Sequence, residues 1–292
     1  MRVFVTGATG FVGTAVVKEL LGAGHTVLGL ARSDAGAQAL TLLGAAVQRG
    51  SLDQPDSLQK GAAAADGVIH LAFVHDWANF AASCETDRRA IETIGAVLAG
   101  TDRPLLVTAG TAGLAGPGQV ATEDDDVPVN FPFPRVSEQT ALGLRNVRSA
   151  VVRLPQVHDT TRQGLLTYAV AVAREKGVSA YIGEGRNRWA AAHISDVARL
   201  YRLALENHEA GAKYHAVGEE GVAMRDIAEA IGRRLQVPAI SIAADAAPAH
   251  FGWLAMFADH DLVASSVKTQ TMLGWKPTGP GLITDLEHLS IA

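Results

Sequence analysis

Short runs of β-branched and other apolar residues alternate, in the first half of the chain, with segments whose apolar residues recur at helical spacing. The runs that we predict as strands lie at residues 2–6, 26–31, 46–49, 67–72, 104–108 and 150–154. Residues 12–23 and 85–99 are among the intervening segments with helical spacing. This alternation predicts a doubly wound α/β fold, in which a parallel Rossmann sheet is covered by helices on both faces.

The alternation becomes less regular after residue 155. Helices are predicted at residues 161–176, 195–207, 224–235, 246–258 and 265–273, and short strands at 180–183 and 213–217. We expect the strand at 213–217 to return to the main sheet. The pattern therefore predicts a dinucleotide-binding domain of residues 1–157, to which 189–218 returns, and a smaller, mostly helical substrate-binding domain formed by 158–188 and 219–292.

A glycine-rich motif, Thr-Gly-Ala-Thr-Gly-Phe-Val-Gly at residues 6–13, directly follows the first predicted strand and opens the first helix. In this context Gly7 permits a tight turn, Gly10 lets the backbone approach a pyrophosphate, and Gly13 lets the helix pack closely against the strand. The helix N-terminus presents free N–H groups and a positive dipole end to the phosphates. The motif predicts dinucleotide binding, with a close-packed glycine turn in an unliganded fold as the alternative.

The residues after the second predicted strand bear on which dinucleotide is bound. A protein selective for NAD(H) places a carboxylate there to bind the ribose hydroxyls, whereas this chain has Arg32 and Ser33. A guanidinium can pair with a 2′-phosphate, and a hydroxyl can donate to it. We therefore predict that NADP(H) is preferred over NAD(H). Asp34 lies close by and opposes this preference, and a solvated loop arginine is the alternative interpretation of Arg32.

Composition and charge exclude several classes of function. The 292 residues include 25 Lys and Arg against 30 Asp and Glu, a net charge of -5, and no basic run indicates nucleic-acid binding. The single cysteine, Cys84, excludes a disulfide framework and a cysteine-rich zinc site, and no other group has metal-ligand spacing. No signal-like leader precedes the first strand, and no apolar run reaches the ~18 residues that cross a bilayer. We expect a cytoplasmic protein that does not bind a membrane.

Several segments carry a resemblance that covers nearly the whole chain. They are TGATGFVG (6–13), GSLDQPDSL (50–58), GVIHLAF (67–73), LLVTAGTAGLAGPG (105–118), VVRLPQVHD (151–159) and GEGRNRWAAAHISDVARL (183–200). With these motifs the chain resembles the extended short-chain dehydrogenase/reductases, also called the NAD-dependent epimerase/dehydratase family. The resemblance implies the same Rossmann fold and a nicotinamide cofactor.

The resemblance also implies which residues bind the cofactor. Asp53 would lie beside the adenine, residues 71–73 along the central ribose, and residues 154–157 against the nicotinamide. With the glycine motif and the residues after the second strand, the expected cofactor-binding residues are Gly7, Thr9, Gly10, Phe11, Val12, Gly13, Arg32, Ser33, Asp53, Leu71, Ala72, Phe73, Thr108, Leu154, Pro155 and Val157.

The chain departs from the family where the proton-transfer residues are expected. Family members place a Ser or Thr after the fifth strand and a Tyr-X-X-X-Lys motif at the next helix, where the tyrosine transfers a proton and the lysine lowers its pKa. Thr111 matches the hydroxyl position, but an alignment through Ser137 places Pro134 at the tyrosine and Glu138 at the lysine. Neither has the required proton or charge, which implies an atypical member of the family. Helix capping is the favoured interpretation of Ser137 and Glu138, and a catalytic role is the alternative.

Other groups would then have to assist hydride transfer. The candidate catalytic residues are Thr111, Arg135 and His158, with His75 and Tyr168 as further donors. His158 follows the nicotinamide-side strand, and histidine titrates near neutral pH, so it is the first alternative acid, with a structural role as the other interpretation. Arg135 can hold an anionic or carbonyl group through its planar fork, and a plain surface role is the alternative.

Aromatic residues are expected to gather around the substrate, although core packing explains at least half of them equally well. The predicted wall consists of Phe73, Trp77, Phe131, Phe133, Tyr181, Trp189 and Trp253. Such a wall favours an apolar or aromatic small molecule. The first hypothesis is therefore an NADP(H)-dependent oxidoreductase acting on a small apolar carbonyl, enone or imine. Because the Tyr/Lys pair is missing, a non-catalytic NADP(H)-binding sensor or regulator is the alternative.

A sugar-nucleotide epimerase or dehydratase is a third hypothesis, which the sequence disfavours. The tyrosine is absent, and the gap from Arg188 to His193 is one residue longer than such enzymes lead us to expect. His193 and Asp196 are interpreted as structural hydrogen-bonding groups. The helices predicted at 85–99 and after Ser137 can pair across a two-fold axis, so we expect a homodimer.

Overall fold

A computed structural model describes residues 1–116, 118–128 and 135–290. Its strands are β1 (Arg2–Thr6), β2 (Thr26–Ala31), β3 (Ala46–Arg49), β4 (Gly67–His70), β5 (Pro104–Gly110), β6 (Arg148–Leu154), β7 (Gln156–His158), β8 (Ser179–Ile182), β9 (Arg188–His193), β10 (Lys213–His215), β11 (Glu219–Ala223) and β12 (Ala239–Ile242). Its α-helices are α1 (Phe11–Gly22), α2 (Asp34–Leu42), α3 (Pro55–Ala63), α4 (Phe80–Leu98), α5 (Ser137–Gly143), α6 (Leu166–Lys176), α7 (Ile194–Glu206), α8 (Met224–Leu235), α9 (Ala247–Phe251), α10 (Ala255–Ala258), α11 (Val267–Leu273) and α12 (Leu282–Glu287).

A seven-stranded parallel sheet forms the centre of the fold, in the order β10-β6-β5-β4-β1-β2-β3. The predicted doubly wound parallel sheet is confirmed. From β1 the chain proceeds outward to β2 and β3, and it then returns to place β4 on the other side of β1. This reversal leaves a crevice at the carboxyl ends of β1 and β4, which is where open α/β sheets bind ligands.

Both faces of the sheet are covered by helices, which is why its strands are nearly continuous apolar runs. Successive side chains of a strand point to opposite faces. Accordingly, Val3 and Val5 of β1 belong to the core beneath α1 and α7, and Phe4 belongs to the core beneath α3 and α4. Leu20 of α1 and Leu200 of α7 are fully buried together in the first of these cores. The layers fix the ends of the strands, and so the position of the crevice.

The second half of the chain adds two small sheets and a separate apolar core. Strands β11, β9 and β7 form one sheet, in which β11 is antiparallel to β9, and β12 pairs with β8 in the other. Within the segment 189–218, helix α7 packs on α1 and β10 is the edge of the main sheet, as expected of a returning segment, whereas β9 belongs to a small sheet. The domain boundaries at 157, 188 and 218 stay a prediction.

The structural roles expected of His193 and Asp196 agree with the contacts of both side chains. His193 caps α7 by accepting the N–H of Ser195, and the carboxylate of Asp196 accepts the backbone N–H groups of Thr278 and Gly279. These bonds tie the start of α7 to the C-terminal part of the chain.

Several element bounds differ from the predicted ones for identifiable reasons. Helix α4 begins at Phe80, five residues before the predicted start, and the helix predicted at 246–258 is divided at Gly252, where φ is 58°. A left-handed φ cannot continue a right-handed helix. Strand β9 was not predicted because Trp-Ala-Ala-Ala is poor in β-branched residues.

Candidate functional site

The glycine motif forms a turn without room for side chains. Gly7 has a φ of 67°, in the left-handed region that favours glycine. A Cβ atom on Gly7 would lie 2.7 Å from the backbone nitrogen of Ala72, and one on Gly13 would lie 1.9 Å from the carbonyl oxygen of Gly7. Helix α1 begins directly after Gly10, so its first N–H groups are open to an anion. This cradle fits a dinucleotide pyrophosphate.

A large cleft opens at the carboxyl ends of the central strands. Every residue predicted as a cofactor contact lines it, from Gly7 in the glycine turn to Val157 in β7. The cleft has a volume of about 1460 Å³, whereas small-molecule sites typically occupy about 300–1,000 Å³. It therefore has room for a second molecule beside a dinucleotide. The contact that each residue makes with a bound cofactor stays a prediction.

The turn after β2 places the cation of Arg32 at the cleft and the carboxylate of Asp34 outside its lining. Arg32 and Ser33 line the cleft, and Ser33 Oγ accepts the N–H of Gly36 at 3.1 Å at the start of α2. The carboxylate of Asp34 accepts a 2.8 Å hydrogen bond from Arg49, which also donates to the carbonyl of Ser33. The acidic side chain that opposes NADP(H) selectivity in the sequence is thus paired with Arg49.

Arg135 reaches the cleft just before α5 and is held there by several contacts. Its Nε donates to Ser137 Oγ at 2.8 Å, its Nη2 donates to the carbonyl of Thr108 at 3.1 Å, and its guanidinium carbon lies 4.2 Å from the centre of the Phe73 ring. Burial lowers the pKa of Arg135 and Asp87 opposes that shift, but a guanidinium remains charged at neutral pH. Among the described residues, no hydrogen-bond partner is found for Nη1.

Thr111 and His75 line the same cleft as Arg135. The backbone N–H of Thr111 donates to the carbonyl of Leu154 at 3.1 Å, and its hydroxyl is 3.4 Å from that oxygen, which leaves the hydroxyl weakly engaged. Desolvation and the charge of Arg135 lower the pKa of His75, so its imidazole is neutral at neutral pH. Tyr168 also lines the cleft. The structure therefore brings together all of the predicted candidates except His158.

His158 lies outside the lining of the cleft and is fully buried. Its Nδ1 is 2.7 Å from the carboxylate of Asp285, and its Nε2 has no hydrogen-bond partner among the described residues. Desolvation lowers the pKa of His158, against the opposing effect of Asp285. Such an imidazole is neutral near pH 7 and cannot reach a ligand in the cleft without a rearrangement.

The predicted capping by Ser137 and Glu138 is not what the structure contains. The residue before α5 is Val136, and the helix has no side-chain cap. Ser137 donates instead to Asp87, and both carboxylate oxygens of Glu138 accept from the guanidinium of Arg153. The prediction was wrong because these side chains find buried charged partners on other elements, which bind them more strongly than a free backbone N–H.

The expected aromatic wall is present in part. Phe73, Trp77 and Trp189 line the cleft, and Trp253 stacks on Trp77 with ring centres 4.3 Å apart. Tyr181 does not line it and lies beneath Arg225. Phe131, Phe133 and Pro134 fall outside the described residues.

Sequence reasoning missed the aromatic residues Phe80 and Phe257 of this wall, and also Asp87. Asp87 has 1% of its surface exposed and lies on the buried face of α4. The available signal was its helical spacing with the apolar residues Ala90 and Ile91, because a carboxylate on such a face must have buried partners.

The part of the chain that the structure describes contains neither a metal-ligand cluster nor a membrane-spanning helix. No group of three or more His, Cys, Asp or Glu side chains there could hold a metal ion. None of its helices is both long enough and apolar enough to cross a membrane.

The sequence matches a known protein family and two close relatives. Residues 3–218 match the NAD dependent epimerase/dehydratase family. An uncharacterized protein of Schizosaccharomyces pombe is 48% identical over 290 residues, which cover 98% of each chain. A second uncharacterized protein, from Saccharomyces cerevisiae, is 44% identical over 292 residues and again covers 98% of each chain.

More distant similarities concern the fold. The dTDP-glucose 4,6-dehydratase DesIV of Streptomyces venezuelae, solved with NAD bound, superimposes with a TM-score of 0.78 at 18% identity and covers 99% of this chain and 96% of its own. A sterol-4-alpha-carboxylate 3-dehydrogenase of Dictyostelium discoideum is 25% identical over 77% of this chain and 73% of its own.

Proposed function

Because the chain belongs to the NAD-dependent epimerase/dehydratase family, we propose that it is an NADP(H)-dependent oxidoreductase acting on a small apolar carbonyl, enone or imine. The glycine cradle and the cleft residues from Arg32 to Val157 support the cofactor half of the proposal. The pairing of Asp34 with Arg49, which leaves Arg32 at the cleft, supports NADP(H) over NAD(H).

One observation carries the proposal: a fixed cation stands in a cleft whose wall is aromatic. Arg135 is held by Ser137, Thr108 and the face of Phe73, and no partner of its Nη1 is found among the described residues. A side chain held in this way is preorganised to bind an oxygen on which negative charge develops. The aromatic wall favours an apolar remainder of the substrate.

Bound NADPH would supply the hydride. Hydride addition to the carbonyl carbon would move the electron pair of the C=O double bond to the oxygen, where Arg135 would stabilise the resulting charge. The weakly engaged hydroxyl of Thr111 would orient the same oxygen. Water would supply the proton, because Arg135 keeps its proton at neutral pH and Glu138 is engaged with Arg153. The product is the alcohol, or the saturated ketone or amine for the other substrate classes.

A non-catalytic NADP(H) sensor is the second candidate. It is favoured by Glu138, which is aligned with the family's lysine but is bound to buried Arg153. A sensor would need the cofactor cradle and no proton donor.

The proposal is tested by titrating the protein with NADPH and then following NADPH oxidation across aromatic aldehydes, ketones, enones and cyclic imines. Turnover of any class supports the oxidoreductase, and loss of turnover in Arg135→Met with unchanged NADPH affinity would support the assigned role. Tight NADPH binding without turnover favours the sensor. Failure to bind NADPH contradicts both candidates. Gly13→Val, whose side chain would enter the carbonyl of Gly7, is the matched non-binding control.

We also propose that the protein is a homodimer paired across a two-fold axis through α4 and α5. These two helices pack against each other within the protomer, so they can present one continuous surface to a second copy. Sedimentation equilibrium at micromolar concentration distinguishes the dimer from a monomer.

A further inference from the structure

A chain of buried polar groups runs beneath the cleft from the glycine turn to Arg135. Thr6 Oγ1 lies 2.9 Å from His70 Nδ1, and His70 Nε2 lies 3.1 Å from one carboxylate oxygen of Asp87. The other carboxylate oxygen of Asp87 is 2.5 Å from Ser137 Oγ, which accepts from Arg135 Nε at 2.8 Å. The chain joins β1, β4, α4 and α5, and it ends on the side chain that enters the cleft.

The direction of each hydrogen bond follows from the groups involved. A guanidinium only donates, so Ser137 Oγ accepts from Arg135 and must use its own hydrogen toward Asp87. His70 is assigned the tautomer that donates from Nε2 to the other oxygen of Asp87, and its Nδ1 then accepts from Thr6. Both carboxylate oxygens of Asp87 therefore accept hydrogen bonds, which requires an ionised carboxylate.

The electrostatics of Asp87 agree with this assignment. Burial alone would raise the pKa of its carboxyl group, but the hydrogen bonds from His70 and Ser137 and the charges around it hold the pKa below its ordinary value. A buried carboxylate is costly unless it is paired with a cation and hydrogen-bonded. Its cation is Arg135, reached through one hydroxyl group.

We infer that Asp87 and Ser137 are positioning residues, which hold the Arg135 guanidinium so that its Nη1 edge binds a planar, oxygen-bearing group of the ligand. The inference rests on the proposed function, because it concerns the same cleft. Arg135 is anchored at Nε and Nη2 and lies over Phe73, so its plane is fixed, and among the described residues Nη1 has no hydrogen-bond partner that would compete with the ligand. A group that lies flat in this plane, conjugated with an aromatic ring, fits both the cation and the wall.

Benzoate is a suitable probe, because its carboxylate mimics the charged oxygen and its ring mimics the apolar remainder. Isothermal titration calorimetry would measure benzoate binding with and without saturating NADP+, and NADP+ binding would be titrated separately. Benzyl alcohol, which has the ring without the charge, is the matched control ligand. The variants are Ser137→Ala, which removes the bridging hydroxyl, and Ser137→Thr, which keeps it.

We expect the wild-type protein to bind benzoate more tightly than benzyl alcohol. Ser137→Ala should raise the Kd for benzoate on the order of tenfold, because it removes a charge-assisted hydrogen bond. Its Kd for benzyl alcohol and for NADP+ should change by less than about twofold. Ser137→Thr should restore benzoate binding, which a general packing role for Ser137 would not require. Denaturant midpoints would verify that both variants are folded.

Three outcomes would overturn the inference: no benzoate binding by the wild-type protein, equal benzoate affinity in wild type and Ser137→Ala, or equal losses in Ser137→Ala and Ser137→Thr. Failure of the proposed function has a different signature, which is the absence of NADP+ binding in the separate titration. Benzoate binding that depends on the Ser137 hydroxyl supports the inference whether or not any carbonyl compound is turned over.

Discussion

Arg153 and Glu138 form a buried ion pair in which two guanidinium N–H groups donate to the two carboxylate oxygens, at 2.7 and 2.5 Å. Arg153 is fully buried in β6, and Glu138 has 5% of its surface exposed in α5. The pair joins β6 of the central sheet to the helix beside the cleft. Glu138, the acidic residue at the family's lysine position, therefore balances the charge of a buried arginine in this protein.

Restoring the family's lysine should damage the fold rather than recover chemistry. Glu138→Lys would place a second cation beside Arg153 in a buried site, and we expect a loss of about 3–5 kcal/mol in the free energy of unfolding. Chemical denaturation followed by circular dichroism measures this loss. Gln139→Lys, on the exposed side of the same helix, is the control and should change the free energy by less than about 0.5 kcal/mol. A Glu138→Lys protein of unchanged stability would contradict the prediction.

Arg32 should determine the choice between the two nicotinamide cofactors. Arg32→Ala removes the cation that can pair with a 2′-phosphate, so we expect the Kd for NADPH to rise roughly 10- to 100-fold, while the Kd for NADH changes by less than about twofold. Titrations followed by nicotinamide fluorescence measure both constants. Arg186→Ala, at an exposed arginine elsewhere, is the control. Equal losses for NADPH and NADH would remove the argument for selectivity.

His158 can be tested as an acid and as a structural residue in one experiment. His158→Ala leaves the carboxylate of Asp285 buried without its nearest partner, so we expect a loss of about 3 kcal/mol in the free energy of unfolding. The turnover rate of the folded fraction should be unchanged, because His158 does not line the cleft. Denaturation and NADPH oxidation on the same sample separate the two effects. Abolished turnover in a folded His158→Ala protein would restore the histidine as the proton donor.

His208 should make stability depend on pH. Desolvation and the charge of Arg148 lower the pKa of His208 from 6.5 to about 4. Below about pH 6.5 the unfolded chain binds a proton that the folded protein excludes, so the stabilising contribution is complete above pH 6.5 and is lost as the pH falls toward 4. The loss over that window is about 3 kcal/mol.

The comparison that isolates this effect is between wild type and His208→Leu. Both ring nitrogens of His208 are buried without hydrogen-bond partners among the described residues, so leucine removes the titratable imidazole without breaking a hydrogen bond. Urea denaturation at pH 7, 5.5 and 4 measures the free energy of unfolding at each pH. This free energy should change less with pH in His208→Leu than in wild type. His260→Leu, at an exposed histidine, should follow wild type. If the free energy of unfolding changes equally with pH in wild type and His208→Leu, the pH dependence belongs to other groups.

The sheet and the cofactor cradle were predictable because their signals are local in sequence. The runs that form β1 and β2 have the predicted bounds, since strands buried on both faces are continuous apolar segments. The edge strand β3 also has the predicted bounds, although it is less buried. The glycine turn is equally local, because Gly7 and Gly13 are required by contacts within a few residues. The small sheets were missed because β9 and β11 are stabilised by pairing with distant strands rather than by their own composition.

The proton-transfer side of the site was less predictable, because its contacts join distant residues. Arg135 was identified from its position before the helix, but Asp87 was not, since nothing in the sequence indicates that an aspartate of α4 meets Ser137. The same limit applies to Glu138, which was assigned to a helix cap because its partner Arg153 lies on another strand. A sequence shows that a buried polar residue needs a partner, but it does not show which one.

The stacked indoles of Trp77 and Trp253 join two segments that flank the cleft and oppose its opening. One ring comes from the loop after β4 and the other from the turn before α10, so the cleft cannot widen along this side without parting them. An aromatic pair contributes about 0.5–1.5 kcal/mol beyond its buried area. Any widening of the cleft along this side would therefore cost at least the stacking energy of this pair.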